Sequence, residues 1–316
     1  MNRNRYIFNL IAIAAVAAIT LIPGRAKAQQ DPLYSMYNFN IQSYNPAYAG
    51  TWERPGFLVT GRQQWVGFDG APNTYAISLQ TPFRSKNVGL GFNIIDDRLG
   101  FERRLLISAD YSYRLQVGSE SFLRLGLKGG VTNYSLNFRD YVGFPGDTPD
   151  PQFATGVDVK YMPNFGVGAF LYSDNYYLGL AIPKMLQNQF EDNYNNFSVS
   201  AELRHFFFQG GYVFDLANGI RFKPTFLARA VVGAPIDVDL SGNLLLADRF
   251  WIGATYRFQS AYGFVAQWMV APNFRIGYSH DINTTSLRSY QNGTHEVMVS
   301  YEFAVSKRIW STPRAF

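Results

Sequence analysis

Between Gly56 and Phe303 the chain repeats one pattern: eight to thirteen residues alternating apolar and polar, closed by a Gly, Pro, Asn or Asp turn, then the same again. Period two is the period of a β-strand, whose successive side chains point to opposite faces. Leu105, Ile107, Ala109, Tyr111, Tyr113 and Leu115 share one face, against Ser108, Asp110, Ser112 and Arg114 on the other. Val297, Val299, Tyr301 and Phe303 alternate in the same way with Glu296, Met298, Ser300 and Glu302. Alternation alone does not say which face is wet. A soluble sandwich turns its apolar face inward and a membrane barrel turns it outward, so the export signal, the aromatic load and the loop lengths decide.

The first 28 residues carry Arg3 and Arg5, an apolar run from Tyr6 to Ile22, and the small-x-small triplet Ala26-Lys27-Ala28. This is the order of a secretory signal peptide, cleaved between Ala28 and Gln29, and residues 1–28 are set aside from the fold. A retained transmembrane anchor is the alternative, but the run is short and interrupted by Asn9. All four ionisable side chains of the leader (Arg3, Arg5, Arg25, Lys27) are basic, so without them Lys plus Arg falls from 28 to 24 against 23 acids, a net charge of +1. The sequence pI of 9.2 therefore says nothing about nucleic acid, and no basic patch with interleaved aromatics stands out. With no cysteine, the chain has neither a disulfide framework nor a lipid-bearing cysteine. The fold itself must hold it at the envelope.

Aromatic residues make up 17% of the chain, with 21 Tyr and 27 Phe, and no apolar run after residue 28 approaches the length of a spanning helix. Aromatic girdles give barrels this composition. The mean hydropathy of −0.11 fits as well, because each spanning strand gives half its residues to a polar lumen. The expected class is all-β: an up-and-down antiparallel outer-membrane β-barrel.

Strands are expected near 57–66, 73–81, 87–96, 104–116, 121–133, 161–172, 176–182, 205–214, 220–231, 236–246, 250–258, 261–270, 273–281 and 294–303, fourteen in all. A further stretch, Phe197 to Leu203, also alternates. Parity argues against it, because single-chain bacterial barrels have even strand numbers, short periplasmic turns and longer outer loops. With fourteen strands the connections 134–160, 183–204 and 282–293 all fall on one side, while Phe83–Lys86, Val117–Glu120, Ser173–Asn175, Asp215–Gly219, Ala247–Arg249 and Ala271-Pro272 fall on the other. A fifteenth strand would send the 282–293 loop to the wrong side. Residues 197–203 are therefore read as part of an outer loop, in the manner of an external hairpin arm. The domain plan is 1–28 leader, 29–55 an aromatic and Asn-rich segment, 56–303 barrel and 304–316 a periplasmic tail with Lys307, Arg308 and Arg314.

The inward register carries Asp110, Arg114, Arg124, Lys128, Arg221, Lys223, Arg229, Asp237, Asp239, Arg257, Arg275, Glu296 and Glu302. Facing lipid at mid-membrane, an Arg or Lys would cost roughly 2–4 kcal/mol; facing a wet lumen these groups can pair. The register brings Arg275 near Glu302, and Arg229 near Asp237 or Asp239. Structural cross-strand pairing outweighs a selectivity filter as the explanation. Gly126, Gly130, Gly253 and Gly277 in the same register leave space for something inside. Residues 29–55 lack strand period, yet hold five tyrosines and phenylalanines within fifteen residues, a composition that wants burial. They are expected to pack into the periplasmic mouth or the lumen as a plug.

Chemistry is sparse. The histidines, His205, His280 and His295, form no metal spacing. His280 and His295 should face one another near the outer rim in the lipid-facing register with Tyr278 and Val297, as girdle residues, and His205 is read the same way. Ser279 precedes His280, but adjacent strand residues point to opposite faces and cannot form a nucleophile–base pair. Asp96-Asp97, and Asp147 with Asp150, fall in expected outer loops without a complete calcium motif. Gly89-Leu90-Gly91 lies within a strand and is no dinucleotide fingerprint. Catalytic, cofactor and metal sites are not expected.

Gln30-Asp31-Pro32, then Tyr44-Asn45-Pro46-Ala47-Tyr48-Ala49-Gly50, then Arg62-Gln63-Gln64-Trp65-Val66-Gly67-Phe68-Asp69-Gly70-Ala71-Pro72 resemble the start of the mature PorP/SprF family of the Bacteroidota type IX secretion system. Later blocks continue the likeness: Gly211 to Leu216, Phe222-Lys223-Pro224, Gly233-Ala234-Pro235, Phe250 to Gly253, Arg275 to Tyr278, His295-Glu296 and Ser311-Thr312-Pro313-Arg314, where Thr312 departs from the usual Ser-Pro-Arg. The resemblance implies a non-enzymatic outer-membrane barrel that helps secrete, and hold at the surface, large proteins read through their C-terminal domains. Some members serve gliding adhesins, and others look like core components linked to periplasmic subunits.

The expected partners are a secreted surface protein with a type IX C-terminal domain, further secretion components on the periplasmic side, and outer-membrane lipid. Arg62, Trp65, Phe68 and Asp69 are the candidate contact loop, although Trp65 can equally be a girdle anchor and the neighbouring glycines serve the turn. The competing class is a channel or transporter for small or hydrophobic solutes, since fourteen strands can enclose a path.

Overall fold

A computed structural model describes residues 32–83, 87–136, 157–192, 197–200, 202–216 and 219–303, and the backbone alone for 157–159, 189–192 and 197–200. The leader with Ala28 and Gln29, most of the 134–160 connection with Asp147 and Asp150, and the tail after Phe303 lie outside these residues. The described strands are β1 (Gly56–Gln63), β2 (Asn73–Pro82), β3 (Val88–Leu99), β4 (Glu102–Gln116), β5 (Phe122–Leu136), β6 (Val157–Tyr172), β7 (Tyr176–Ile182), β8 (Gln189–Asp192), β9 (Phe197–Ser200), β10 (His205–Tyr212), β11 (Phe214–Asp215), β12 (Arg221–Val231), β13 (Asp237–Leu246), β14 (Phe250–Arg257), β15 (Ala261–Ala271), β16 (Phe274–Asn283) and β17 (Thr294–Glu302). All pairings are antiparallel between chain neighbours, except that β7 pairs with β10, β10 with β12, and β17 closes on β1 from Gly56 opposite Glu302 to Gln63 opposite His295.

Fourteen strands therefore make a closed barrel, as the loop-parity count requires. The two-residue β11 is the end of β10 resumed after Val213, whose side chain turns inward and whose N–H bonds to Asn175 O at 2.7 Å. The extra alternating stretch stays out of the wall: β8 and β9 pair in a separate two-stranded sheet. This arm is anchored by the buried Glu202 carboxylate, which accepts from Thr132 Oγ1 (2.6 Å), Asn164 Nδ2 (2.8 Å) and Asn188 Nδ2 (2.7 Å).

The period-two pattern sorts as the physics of two solvents demands. In β2 burial alternates strictly from Thr74 to Gln80, with Tyr75, Ile77 and Leu79 outward and exposed. Leu125, Leu127, Phe206, Phe208, Phe264 and Trp268 belong to the same outer surface. An outward apolar belt is what a barrel in lipid presents. Several element bounds differ from the sequence reading, those of β1, β3 and β4 with local causes. β1 stops at Gln63 rather than running to 66, because Trp65 takes a positive φ of 49° and begins a turn. β3 and β4 are longer than expected and meet in a tight turn at Gly100-Phe101, where Gly100 has φ 57°. Asp96 and Asp97 are consequently strand residues, not loop ligands: Asp96 pairs with Arg98 and Arg103 at 2.8 Å each, and Asp97 accepts from Thr74 Oγ1 at 2.6 Å.

Candidate functional site: the filled lumen and its long-loop mouth

The barrel interior is occupied by the protein's own N-terminal segment. Tyr34, Met36, Tyr37, Ile41, Tyr44, Ala47, Tyr48 and Ala49 are buried, as are Ser35, Asn38, Asn40, Gln42, Ser43 and Asn45 between them. Two single-turn 3-10 helices, Ile41–Ser43 and Pro46–Tyr48, shape the segment; Asn45 caps the second by accepting from Ala47 N at 3.0 Å, and Pro46 at its first position needs no donor. The aromatics reach the wall: Tyr44 stacks on Phe207 at 5.2 Å, Tyr48 meets Phe170 edge-on at 5.4 Å, and Phe39 meets Trp251 at 6.5 Å. The burial that composition demanded is thus found along the lumen rather than in the periplasmic mouth alone.

The polar lumen serves this segment as much as it serves itself. Arg124 donates to Ala49 O (3.3 Å) and Gly50 O (2.8 Å), Ser112 Oγ to Ala49 O (2.6 Å), and Lys128 Nζ to Ser43 O (3.2 Å). Gln42 Nε2 donates to Leu79 O at 2.8 Å, and Tyr37 OH bonds Thr225 Oγ1 at 2.9 Å. Wall glycines supply the room. A Cβ at Gly126 would overlap the Ala47 backbone, one at Gly89 the Ala49 carbonyl and one at Gly168 the Asn45 side chain, while Gly277 faces Met36 Sδ. Gly130 and Gly253 instead meet neighbouring wall strands, so only two of the four expected glycines make space for the plug. Gly89, noted in the sequence only to dismiss a nucleotide loop, is one that alternation did not single out.

The expected lumen charges all lie in the inward register. Arg275 bonds Glu302 at 3.0 Å; Arg229 reaches Asp239 at 3.1 Å and Asp237 at 3.7 Å; Arg257 adds a bond to Asp239 at 2.8 Å. Lys128 lies 3.4 Å from Asp110, and Arg114 packs over the Phe122 ring at 4.8 Å. Most of these charges, Lys128 among them, form cross-strand pairs, and Arg124 and Lys128 also bond plug carbonyls that alternation could not reveal.

Arg62 requires a correction. Assigned by sequence to the contact loop, it is an inward residue of β1, only 2% exposed, bonded to Glu296 at 2.8 Å and Asp281 at 3.3 Å. Ser35 completes the cluster: its N–H donates to Glu296 at 2.7 Å, its hydroxyl bonds Asp281, and Arg62 donates to that hydroxyl. Met36 N–H also points at Glu296, at 3.3 Å. Two carboxylates and one guanidinium thus hold the upper end of the plug. The loop proper is 64–72, tied to the last hairpin by Val66 N to Gly293 O (2.9 Å) and Asn292 N to Val66 O (2.7 Å), and to the β3–β4 turn by Gly100 N to Gly70 O (2.8 Å). Phe68 and Asp69 stand exposed on it and Trp65 is half-buried beside Thr294.

The histidines divide. His280 and His295 oppose one another outward, rings 4.6 Å apart, with Tyr278 OH 2.7 Å from His295 Nδ1, as the register predicts. His205 is buried and inward, stacked on Phe207, and is no girdle residue. Ser279 is fully buried on the face opposite His280. Among the described residues no cluster of three or more His, Cys, Asp or Glu could hold a metal.

Above the plug the barrel opens on the long-loop side into a cavity of about 400 Å³ lined by Pro32, Leu33, Trp65, Leu287 and the charged Asp97, Glu102, Arg104 and Arg257. The described residues thus form a plugged barrel with one built-up rim. The model of one family, the type IX secretion system membrane protein PorP/SprF, matches residues 26–301. The chain belongs to this family. The PorP/SprF assignment and the barrel together place it in the outer membrane as a component of type IX secretion. No curated protein matches the chain. Solved barrels similar to this PorP/SprF chain include the CymD monoaromatic hydrocarbon channel (12% identity, covering 84% of this chain and 93% of that one, TM-score 0.50). Two others are the Ralstonia pickettii toluene transporter TbuX (10%, 82% and 92%, 0.47) and Acinetobacter baumannii Omp33 (9%, 79% and 99%, 0.45). At such identity CymD speaks for the barrel fold alone.

Proposed function

We propose that this protein is a non-enzymatic anchor of type IX secretion, receiving the C-terminal domain of one large, adhesin-like secreted partner on its long-loop rim. The observation that carries the reading is the occupied lumen: a segment bonded or packed against the walls all round the barrel leaves the strands to hold position in lipid and the loops to meet a partner. By the rule that short turns are periplasmic, the rim with loop 64–72, the arm and the 284–293 connection faces outward. Phe68 is 45% exposed there and Asp69 stands beside it, an apolar and an acidic group on a loop held by three strand-end contacts. Such a preformed surface costs little ordering on binding.

The test is paired. Purified protein should show no stable open conductance in planar bilayers and should copurify with a large secreted protein. A stable open pore without such a partner would instead support the alternative, a channel for small or hydrophobic solutes.

A further inference from the structure

The outward face of the wall is almost free of charge. Among the described wall-strand side chains, the charged residues in the outward register are Asp96, Arg98 and Arg103, and they stand together. Asp96 lies opposite Tyr75 on one side and Leu105 on the other, so the register of the apolar belt carries them. Arg98 and Arg103 are direct cross-strand partners beside the Gly100-Phe101 turn, on the long-loop rim. Like charges opposed in this way repel, and Asp96 compensates only one of them. Its carboxylate accepts from Arg98 Nη2 (2.8 Å) and Nε (3.3 Å), and from Arg103 Nε (2.8 Å) and Nη2 (3.1 Å). Two guanidinium charges against one carboxylate leave the cluster at +1. A guanidinium carries five N–H groups, so each arginine keeps donors that Asp96 does not use, those of Nη1 first. The arginine side chains are 53% and 50% exposed and that of Asp96 17%, which sets the carboxylate beneath the pair and the spare donors outward.

Depth in the membrane gives this cluster its meaning. Below Arg103 the outward positions of β4 run Leu105, Ile107, Ala109, Tyr111, Tyr113 and Leu115 without a charge. At ~3.4 Å per residue and a tilt of about 40°, the run from Leu105 to Leu115 covers roughly 25 Å, the height of the apolar band a barrel presents to lipid. Arg98 and Arg103 therefore stand where acyl chains give way to headgroups. We infer that these two arginines form a binding site for the phosphate of an outer-leaflet lipid, whose acyl chains lie along Ile94, Leu105 and Ile107. A guanidinium fork matches two phosphate oxygens at once. Asp96 is the positioning residue: it holds both forks in place before the lipid arrives, which lowers the ordering cost of binding. The site does not depend on the secreted partner; its assignment to the outer leaflet rests on the turn-length rule.

The full-length barrel, purified in a non-ionic detergent, is titrated with bis-phosphorylated lipid A in mixed micelles, and bound lipid is counted by native mass spectrometry. Dephosphorylated lipid A, with the same chains and sugars, isolates the phosphate, and inorganic phosphate tests the free anion. Arg98→Gln/Arg103→Gln removes both forks, Arg98→Lys/Arg103→Lys keeps the charge without them, and Arg288→Gln removes an exposed cation elsewhere on the same rim. Wild type and Arg288→Gln should each retain lipid A. The Gln pair should bind it about tenfold or more weakly, through loss of two charge-assisted contacts, and the Lys pair should fall between. Dephosphorylated lipid A should bind wild type no better than it binds the Gln pair, and equimolar inorganic phosphate should displace nothing. Equal binding of lipid A by wild type and the Gln pair would overturn the inference, as would equal binding of the two lipids by wild type. An equal loss in Arg288→Gln would reduce the effect to diffuse charge, and displacement by equimolar inorganic phosphate would assign the site to a free anion; either outcome sinks the lipid site. Should the Gln pair fail to fold, the Lys pair decides by the same comparison with wild type.

Discussion

At the residue scale the fold turns on Arg62. Its guanidinium lies between Glu296 and Asp281, with Ser35 as the fourth member, and all four are out of water. Removing the cation leaves two carboxylates buried side by side, and breaking a buried ion pair from one side typically costs about 3–5 kcal/mol. Arg62→Met should therefore lower the thermal unfolding midpoint of the detergent-solubilised barrel and expose the plug to protease near Ser35. Arg62→Lys should recover only part of the loss, because an ammonium cannot match two carboxylates with a planar fork. A midpoint unchanged in Arg62→Met would show that the cluster does not hold the plug. The sequence misled here for a physical reason. Arg62 opens the block Arg62-Gln63-Gln64-Trp65, which reads as one loop motif, yet the strand ends at Gln63 and its last inward position is Arg62. Only its two carboxylate partners, more than two hundred residues away in sequence, reveal what it does.

At the element scale, legibility followed periodicity. The fourteen wall strands could be read because lipid and lumen impose opposite demands on alternate residues, and because turn lengths had to sort to two rims. The arm could be read for the same reason: Phe197 to Leu203 alternates, but a place in the wall would break the sorting. Its structure makes a prediction. The β8–β9 sheet pairs with no wall strand and hangs from Glu202, so replacing residues 190–199 with a short Gly-Ser link should leave barrel stability in detergent unchanged within about 0.5 kcal/mol, as for other surface changes. A large loss would mean that the arm braces the wall. The plug was legible only as an aromatic segment without period. Its contacts are with all sides of the barrel and follow no local rule, and the wall residues that receive it, such as Gly89 and Arg124, satisfy alternation whether or not a plug is present. Sequence could thus place a plug in the barrel but not thread it.

At the scale of the whole molecule the barrel is either a passage or an anchor, and displacing the plug separates the two. At Gly126 wall and plug backbones approach closely, with Ala47 where a Cβ would need to be. A valine there cannot be accommodated by a rotamer change, since the obstruction is main chain, and overpacking of this kind costs roughly 1–3 kcal/mol or more. The wall is favoured to survive, because its β4–β5 and β5–β6 ladders run the length of the strands, whereas the plug is held by a limited set of side-chain bonds. Gly126→Val should therefore displace the Asn45 to Gly50 stretch and leave a folded barrel. Its bilayer conductance should rise from none to a stable open level. Display of the secreted partner should fall less than in the Trp65→Ala/Asp69→Ala double variant, which alters the rim and leaves the lumen closed. The two variants separate the two readings. If the unplugged barrel conducts but still displays its partner, while the rim variant stays closed and loses display, the lumen serves as a sealed support and the rim as the receptor. If display instead tracks the plug and ignores the rim, the anchor reading fails and the lumen itself must be the route.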